Sequence, residues 1–144
     1  MQSKSLEGTM VNSGVEQNGR FLRKVLKANA AFSTVSAFAT IFFANSIAQW
    51  IGLNNATILV GLGIVLLPFA FYVYKVATME TLNSKLVWVI IELDLLWVVG
   101  SAILLLSNVV SLTTAGKWSV GLLADVVALF AIFEYVGLRK AQKG

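Results

Sequence analysis

Four apolar runs, at about 25–49, 56–74, 86–110 and 118–137, dominate the 144-residue chain and leave few folds open to it. Each supplies about 20 mainly apolar residues, enough at about 1.5 Å rise per residue to cross a hydrocarbon core of about 30 Å as one helix. Inside lipid every backbone N–H and C=O must be satisfied within the chain, so the choice lies between helices and a closed barrel. Barrel strands alternate apolar and polar residues over about ten positions, and no stretch here does so for that long. The links, around Asn54-Asn55, Thr81-Leu82-Asn83-Ser84 and Thr113-Thr114-Ala115-Gly116, are short and rich in turn formers. The expected fold is an all-α membrane protein: a four-helix up-down-up-down transmembrane bundle over residues 20–140.

Composition narrows the function classes. Only 12% of residues are charged and 58% are apolar, against about a quarter charged in a soluble domain. With no cysteine and no histidine, disulfides, thiolate nucleophiles, histidine acid/base chemistry and the cysteine or histidine sites of zinc, haem and iron–sulfur clusters have no side chains to run on. The reading leans away from an enzyme and implies no cofactor and no metal site. A membrane enzyme acting on lipid would need an acid pair, such as Asp94 with Asp125, within reach of its substrate.

Charge sets the orientation. Lys4, Arg20, Arg23, Lys24, Lys27, Lys75, Lys85, Arg139, Lys140 and Lys143 fall on one side of the expected membrane and Lys117 alone on the other, a positive-inside bias that places both termini in the cytoplasm. Residues 1–19 are polar and read as a flexible cytoplasmic tail, and 141–144 as a short basic one. The first apolar run is too long for a cleavable signal. Trp50 and Trp118 are expected at the outer interface, Trp88 and Tyr74 near the inner one. The lipid bilayer accounts for the basic balance without nucleic acid. The setting implied is a bacterial inner membrane, with a homo-oligomer or a larger membrane complex as partner.

Four of the seven acidic residues, Glu92, Asp94, Asp125 and Glu134, fall inside expected spans. Glu134 and Glu92 lie close to the inner helix ends, within snorkelling reach of Lys27, Lys75, Lys85, Arg139 or Lys140, and read as a structural ion-pair girdle. Asp94 and Asp125 lie deeper, roughly 12 Å from the inner edge and roughly 10 Å from the outer edge. At about 100° per residue Glu92 and Asp94 point roughly 160° apart, and Asp125 and Glu134 differ by about half a turn. Asp94, Ser101 and Asn108 share one face of the third span, with Trp97 a turn beyond Asp94. The first span carries Asn29, Ser33, Ser36 and Thr40 at helical spacing. The two stripes are expected to face each other, either as interhelical hydrogen-bonding glue or as a narrow polar cavity. In the second case Asp94, Asp125, Trp97, Ser101 and Ser33 are the ligand- or ion-binding candidates.

Two further patterns concern packing. Phe69-Ala-Phe-Tyr-Val-Tyr resembles Phe130-Ala-Ile-Phe-Glu-Tyr at an offset of 61 residues, which also carries Ser33 and Thr40 onto Asp94 and Ser101. That is the mark of two hairpins related by an axis along the membrane normal. Pro68 is expected to bend the second span. Gly61 and Gly63, Gly100 with Gly121, and Ala30, Ala37 and Ala44 offer small surfaces for helix contact.

The element Asp94-Leu-Leu-Trp97-Val-Val-Gly100-Ser101, preceded by Arg20-Phe-Leu-Arg-Lys-Val-Leu-Lys-Ala-Asn29-Ala-Ala-Phe-Ser33 and followed by Phe130-Ala to Gly137-Leu-Arg139, resembles a family of small bacterial four-span membrane proteins of uncharacterised activity. The resemblance spans about 20–140 and implies an inner-membrane setting without an activity to carry over. Small multidrug exporters are similar in size and in pairing an acid with Trp, but their acid lies in the first span and their dual topology needs a weak charge bias. Two functions remain open: a non-enzymatic accessory or small-ligand or lipid-binding subunit of a membrane assembly, and an oligomeric proton- or cation-coupled transporter or channel using Asp94 and Asp125.

Overall fold

The computed structural model describes the backbone over residues 2–143 and side chains over residues 19–143. The elements are α1 (Gln2–Phe42), α2 (Ala44–Ile51), α3 (Thr57–Ala77), α4 (Ser84–Ser107) and α5 (Thr114–Lys143), with no strand among the described residues. The polar tail expected over residues 1–19 falls on the first part of α1 and lies, apart from Gly19, outside the described side chains.

Among the described residues, four segments are long and apolar enough to cross a bilayer: Gly19–Phe42, Thr57–Ala77, Ser84–Ser107 and Thr114–Lys143, of 24, 21, 24 and 30 residues. At about 1.5 Å per residue even the shortest reaches roughly 31 Å, the thickness of the hydrocarbon core. The protein is an all-α transmembrane bundle. Its outward residues are those a lipid phase would solvate: Val35, Phe42, Val65, Leu96, Leu106 and Trp118 are each at least 67% exposed.

Helix limits follow local chemistry. The first apolar run is divided, because Phe43 departs from helical geometry (φ −110°, ψ 23°) and starts α2. That helix ends at Gly52, whose φ of 85° suits a residue without Cβ and lets the N–H groups of Gly52 and Leu53 close on Ala48 O. The third span stops at Ser107, short of its expected limit, because Asn108 turns left-handed (φ 53°). Asn108 therefore caps α4 and does not extend the polar stripe. Asn83 caps the start of α4 by accepting from Lys85 N. The Thr113 hydroxyl accepts from Gly116 N at the start of α5 and donates to Trp50 O, tying α2 to α5. Helix α3 runs through Pro68 without a break.

Packing gives each span two neighbours. α1 lies along α3 and also packs on α5; α4 lies along α5; α3 and α4 barely meet, and α1 and α4 stand on the diagonal. The core gathers at the end of the bundle that carries Arg20, Arg23, Lys75, Lys85, Arg139 and Lys140, called here the basic end. Leu22, Leu26, Ala30, Val73, Val76, Ala77, Val87, Ile90, Ile91 and Leu138 interlock there. Small residues set the closest approaches. A Cβ on Gly63 would meet Ala37 O at 2.7 Å, one on Gly137 would meet Leu22 Cβ at 3.3 Å, and one on Gly116 would meet Ile51 O at 2.5 Å. Ala30, Ala37 and Ala44 are buried as the sequence implies. Gly61 and Gly100 face open space and Gly121 has only Leu105 at 4.0 Å, so the close contacts expected of Gly61, Gly100 and Gly121 do not form.

The offset of 61 residues reappears in burial. Gly63, Ala70, Val73, Val76 and Ala77 of α3 correspond to Ala124, Ala131, Glu134, Gly137 and Leu138 of α5, and all ten are buried. Leu26, Asn29, Ala30 and Ser33 of α1 likewise correspond to Val87, Ile90, Ile91 and Asp94 of α4. The hairpins α1/α3 and α4/α5 thus repeat one packing register.

Candidate functional site

Three polar side chains meet where α1, α4 and α5 converge. Asn29, Asp94 and Glu134 are 2%, 3% and 0% exposed. Asn29 Nδ2 donates to Asp94 Oδ2 at 2.7 Å and to Glu134 Oε1 at 2.8 Å. The Ser33 hydroxyl donates to Asn29 Oδ1 at 3.2 Å, which fixes the amide with its nitrogen toward the two carboxyls. Glu134 Oε2 is buried without a hydrogen-bond partner.

The depth of the cluster follows from the helices. Asp94 is ten residues into α4 and Glu134 nine residues from the end of α5, so each stands roughly 14 to 15 Å from the basic end, and Asn29, bonded to both, stands at the same level. Their phase follows from neighbouring small and apolar positions. Glu134 shares the inner face of α5 with Ala124, Ala131 and Leu138, and Asp94 shares that of α4 with Val87, Ile90, Ile91 and Ser101. Between the cluster and the basic end lie the buried apolar side chains of Leu26, Val73, Val87, Ile90 and Ile91.

This arrangement corrects two expectations. Glu134 belongs to no ion-pair girdle: α5 continues to Lys143, so the carboxyl is drawn inward, level with Asp94, and its hydrogen bond comes from Asn29. Asp125 does not join Asp94; it is exposed on the outside of α5, where a shallow cleft also touches Lys117, Trp118 and Gly121. The half-turn between Asp125 and Glu134 holds, but the bundle turns the other member inward. Glu92, Lys27 and Lys75 are exposed, and the Lys75 ammonium lies 5.7 Å from the Phe71 ring. Arg139 lies 5.7 Å from the Tyr135 ring. Arg23 donates to Ala77 O and Glu80 O at 2.9 Å each, capping the end of α3. Trp97 is half-buried, and Ser101 is buried two turns along α4 from Asp94. The stripes on α1 and α4 meet through Asn29 and Asp94; farther along α1, Thr40 lies against Gly63 of α3 and bonds back to its own helix, so the two stripes do not face each other along their length.

Chemically the site is two carboxyls and one amide donor in an apolar surround. A carboxylate at mid-bilayer depth costs about 2.5 to 3.5 kcal/mol on insertion scales, whereas an interhelical hydrogen bond in lipid returns about 0.6 kcal/mol. Hydrogen-bonding glue alone is therefore a poor account of two acids in one place. The amide presents N–H groups, not an oxygen, to the carboxyls, which suits a proton on the pair better than a metal ion. No cluster of three or more metal-ligating acids occurs among the described residues.

No protein family, no curated protein and no solved structure that was compared matches this chain, so the element from Asp94 to Ser101 has no relative to lend it a role. In the structure that element divides: Asp94 and Ser101 face the core, while Gly100 faces outward.

Proposed function

We propose that this membrane protein carries a proton-binding site formed by Asp94 and Glu134 and acts as a proton-linked carrier of small solutes, without enzymatic chemistry. The observation that carries the reading is the bridging of two buried carboxyls by one Asn29 amide, with Glu134 Oε2 left unpartnered. A proton on either carboxyl removes one of two like charges and creates the O–H donor that the unpartnered oxygen lacks. Gaining and losing that proton changes the attraction between α1, α4 and α5, the helices through which the two hairpins meet. Parallel internal repeats with a site at their interface are a construction that transporters use.

The test has two readouts. Infrared difference spectra of the purified protein between acid and alkaline pH are expected to show a protonated-carboxyl C=O band that Asp94→Asn and Glu134→Gln both remove and Asp125→Asn keeps. Protein in vesicles loaded with a pH-sensitive dye is expected to move protons in response to an imposed gradient of small amines or monovalent cations, with the same dependence on the variants. A spectrum without a band common to Asp94 and Glu134 overturns the site. A band without proton movement for any solute overturns the carrier and leaves the accessory-subunit reading, which the outward Glu92 favours.

A further inference from the structure

Lys27 and Glu92 are two charges that the bundle leaves facing outward at one depth. Each stands two residues before a member of the buried cluster, Lys27 before Asn29 on α1 and Glu92 before Asp94 on α4, and both helices run away from the basic end. Asn29 and Asp94 are joined at 2.7 Å, so the two charges lie level, each roughly 3 Å nearer the basic end. Two residues turn a helix by about 200°, so each side chain points roughly 160° away from the cluster. Because α1 and α4 stand on the bundle diagonal, they leave it from opposite corners. Both are exposed, and neither has a hydrogen bond or ion pair among the described residues.

Their surroundings make Glu92 the harder of the two to leave in lipid. The Lys27 stem can snorkel toward the headgroups. Glu92 lies roughly 12 Å along α4 and its short arm reaches little of that distance. It is flanked on the same outward face by Trp88, Leu95, Leu96 and Val99, which are 37%, 48%, 67% and 54% exposed.

We propose that copies of this chain associate side by side in the membrane, with Glu92 of one copy against Lys27 of the next. Copies inserted in one orientation bring the two charges to the same depth without any shift of the helices. Charge complementarity at matched depth is what selects a second copy as the occupant of this face, since burying a paired carboxylate removes the cost of a lone one. The exposed Ala28 and Ala31 beside Lys27 leave room for Leu95 and Leu96 of the neighbour. Because the two patches lie on opposite corners, the contact is heterologous and not an isologous two-fold: each copy offers one of each, and association extends to a ring or a row. This interface stands apart from the proton site, whose residues point the other way.

The chain has no cysteine, which makes the test direct. Ala31→Cys and Leu96→Cys, which leave Lys27 and Glu92 in place, are put on separately tagged copies, co-expressed, and oxidised in native membranes. The expected result is a cross-link joining the two tags, none in membranes holding either variant alone, and a ladder of multimers from the chain carrying both. Cross-linking of either single variant to itself, or to a different protein, overturns the proposal. So does its absence from the mixture when both variants elute as folded protein. In parallel, Glu92→Lys and Lys27→Glu are each expected to shift the protein to a monomer by native mass spectrometry. Combining the two is expected to restore assembly; single variants that stay assembled, or a combination that stays monomeric, refute the charge pair. Proton binding by the infrared band is expected to be unchanged in all of these, so either proposal can fail without the other.

Discussion

Val73 and Glu134 occupy the same place in their hairpins, 61 residues apart and both 0% exposed, yet one is aliphatic and the other a carboxyl. Around them the two seams between the hairpins differ in the same sense. At the α1/α5 seam Asn29 meets Glu134, Phe32 packs on Phe130 with ring centres 5.6 Å apart, and Phe21 on Phe133 at 6.4 Å. At the α3/α4 seam the corresponding residues are Ile90 with Val73 and Leu93 with Phe69. Contact there is confined to the basic end, where the Tyr72 hydroxyl donates to Leu86 O at 3.4 Å, and Leu93 is left 42% exposed. The comparison teaches that the two hairpins close along α1/α5 far more than along α3/α4. At the equivalent buried position α3 carries an aliphatic side chain, so the repeated packing register does not itself call for a carboxyl, and that is the ground for assigning the polar cluster a function.

The comparison can be broken most severely at Asn29. Asn29→Ala leaves both carboxyls without their donor, and stability in detergent is expected to fall by about 3 to 5 kcal/mol, as for a buried charge stripped of its partner. A loss below about 1 kcal/mol would show that the cluster bears no stress. Copying the apolar seam onto the polar one is the sharper experiment. The triple variant Asn29→Ile, Asp94→Ser, Glu134→Val gives α1, α4 and α5 the residues of their counterparts, and its thermal unfolding is expected to match the native protein or to gain up to about 4 kcal/mol while the infrared proton band vanishes. Failure to fold would mean that the polar seam is structural after all.

Smaller effects test the packing register. Gly63→Val must displace Ala37 O and Thr40 Oγ1, both 2.7 Å from the added Cβ, and is expected to cost about 1 to 3 kcal/mol by thermal unfolding. Gly100→Ala meets nothing within 4 Å, so it is expected to gain about 0.5 to 1 kcal/mol from helix propensity alone. Equal responses at the two glycines would mean that α1 and α3 do not approach as described.

Much of this was legible along the chain. The four spans, the short links and the 61-residue repeat all emerge from hydropathy and spacing along the chain. Each is a property of one helix or of a sum over about twenty residues. The pairing of the acids was less legible. The fourth apolar run ends near Gly137, which sets Glu134 close to the membrane edge, but the helix itself runs on to Lys143 and carries Glu134 to the level of Asn29. A signal was nonetheless present: Ala124, Ala131 and Leu138 recur every seven residues, and Glu134 falls on their face while Asp125 does not.

What the sequence determined by itself was the solvent and the crossing number, because hydropathy is additive along a helix and needs no neighbour. What only the tertiary structure decided was which carboxyl turns inward to meet Asp94. That depends on the rotation of α5 about its own axis, and the rotation is set by contacts with other helices: Gly137 against Leu22, Gly116 against Ile51, and Phe130 against Phe32.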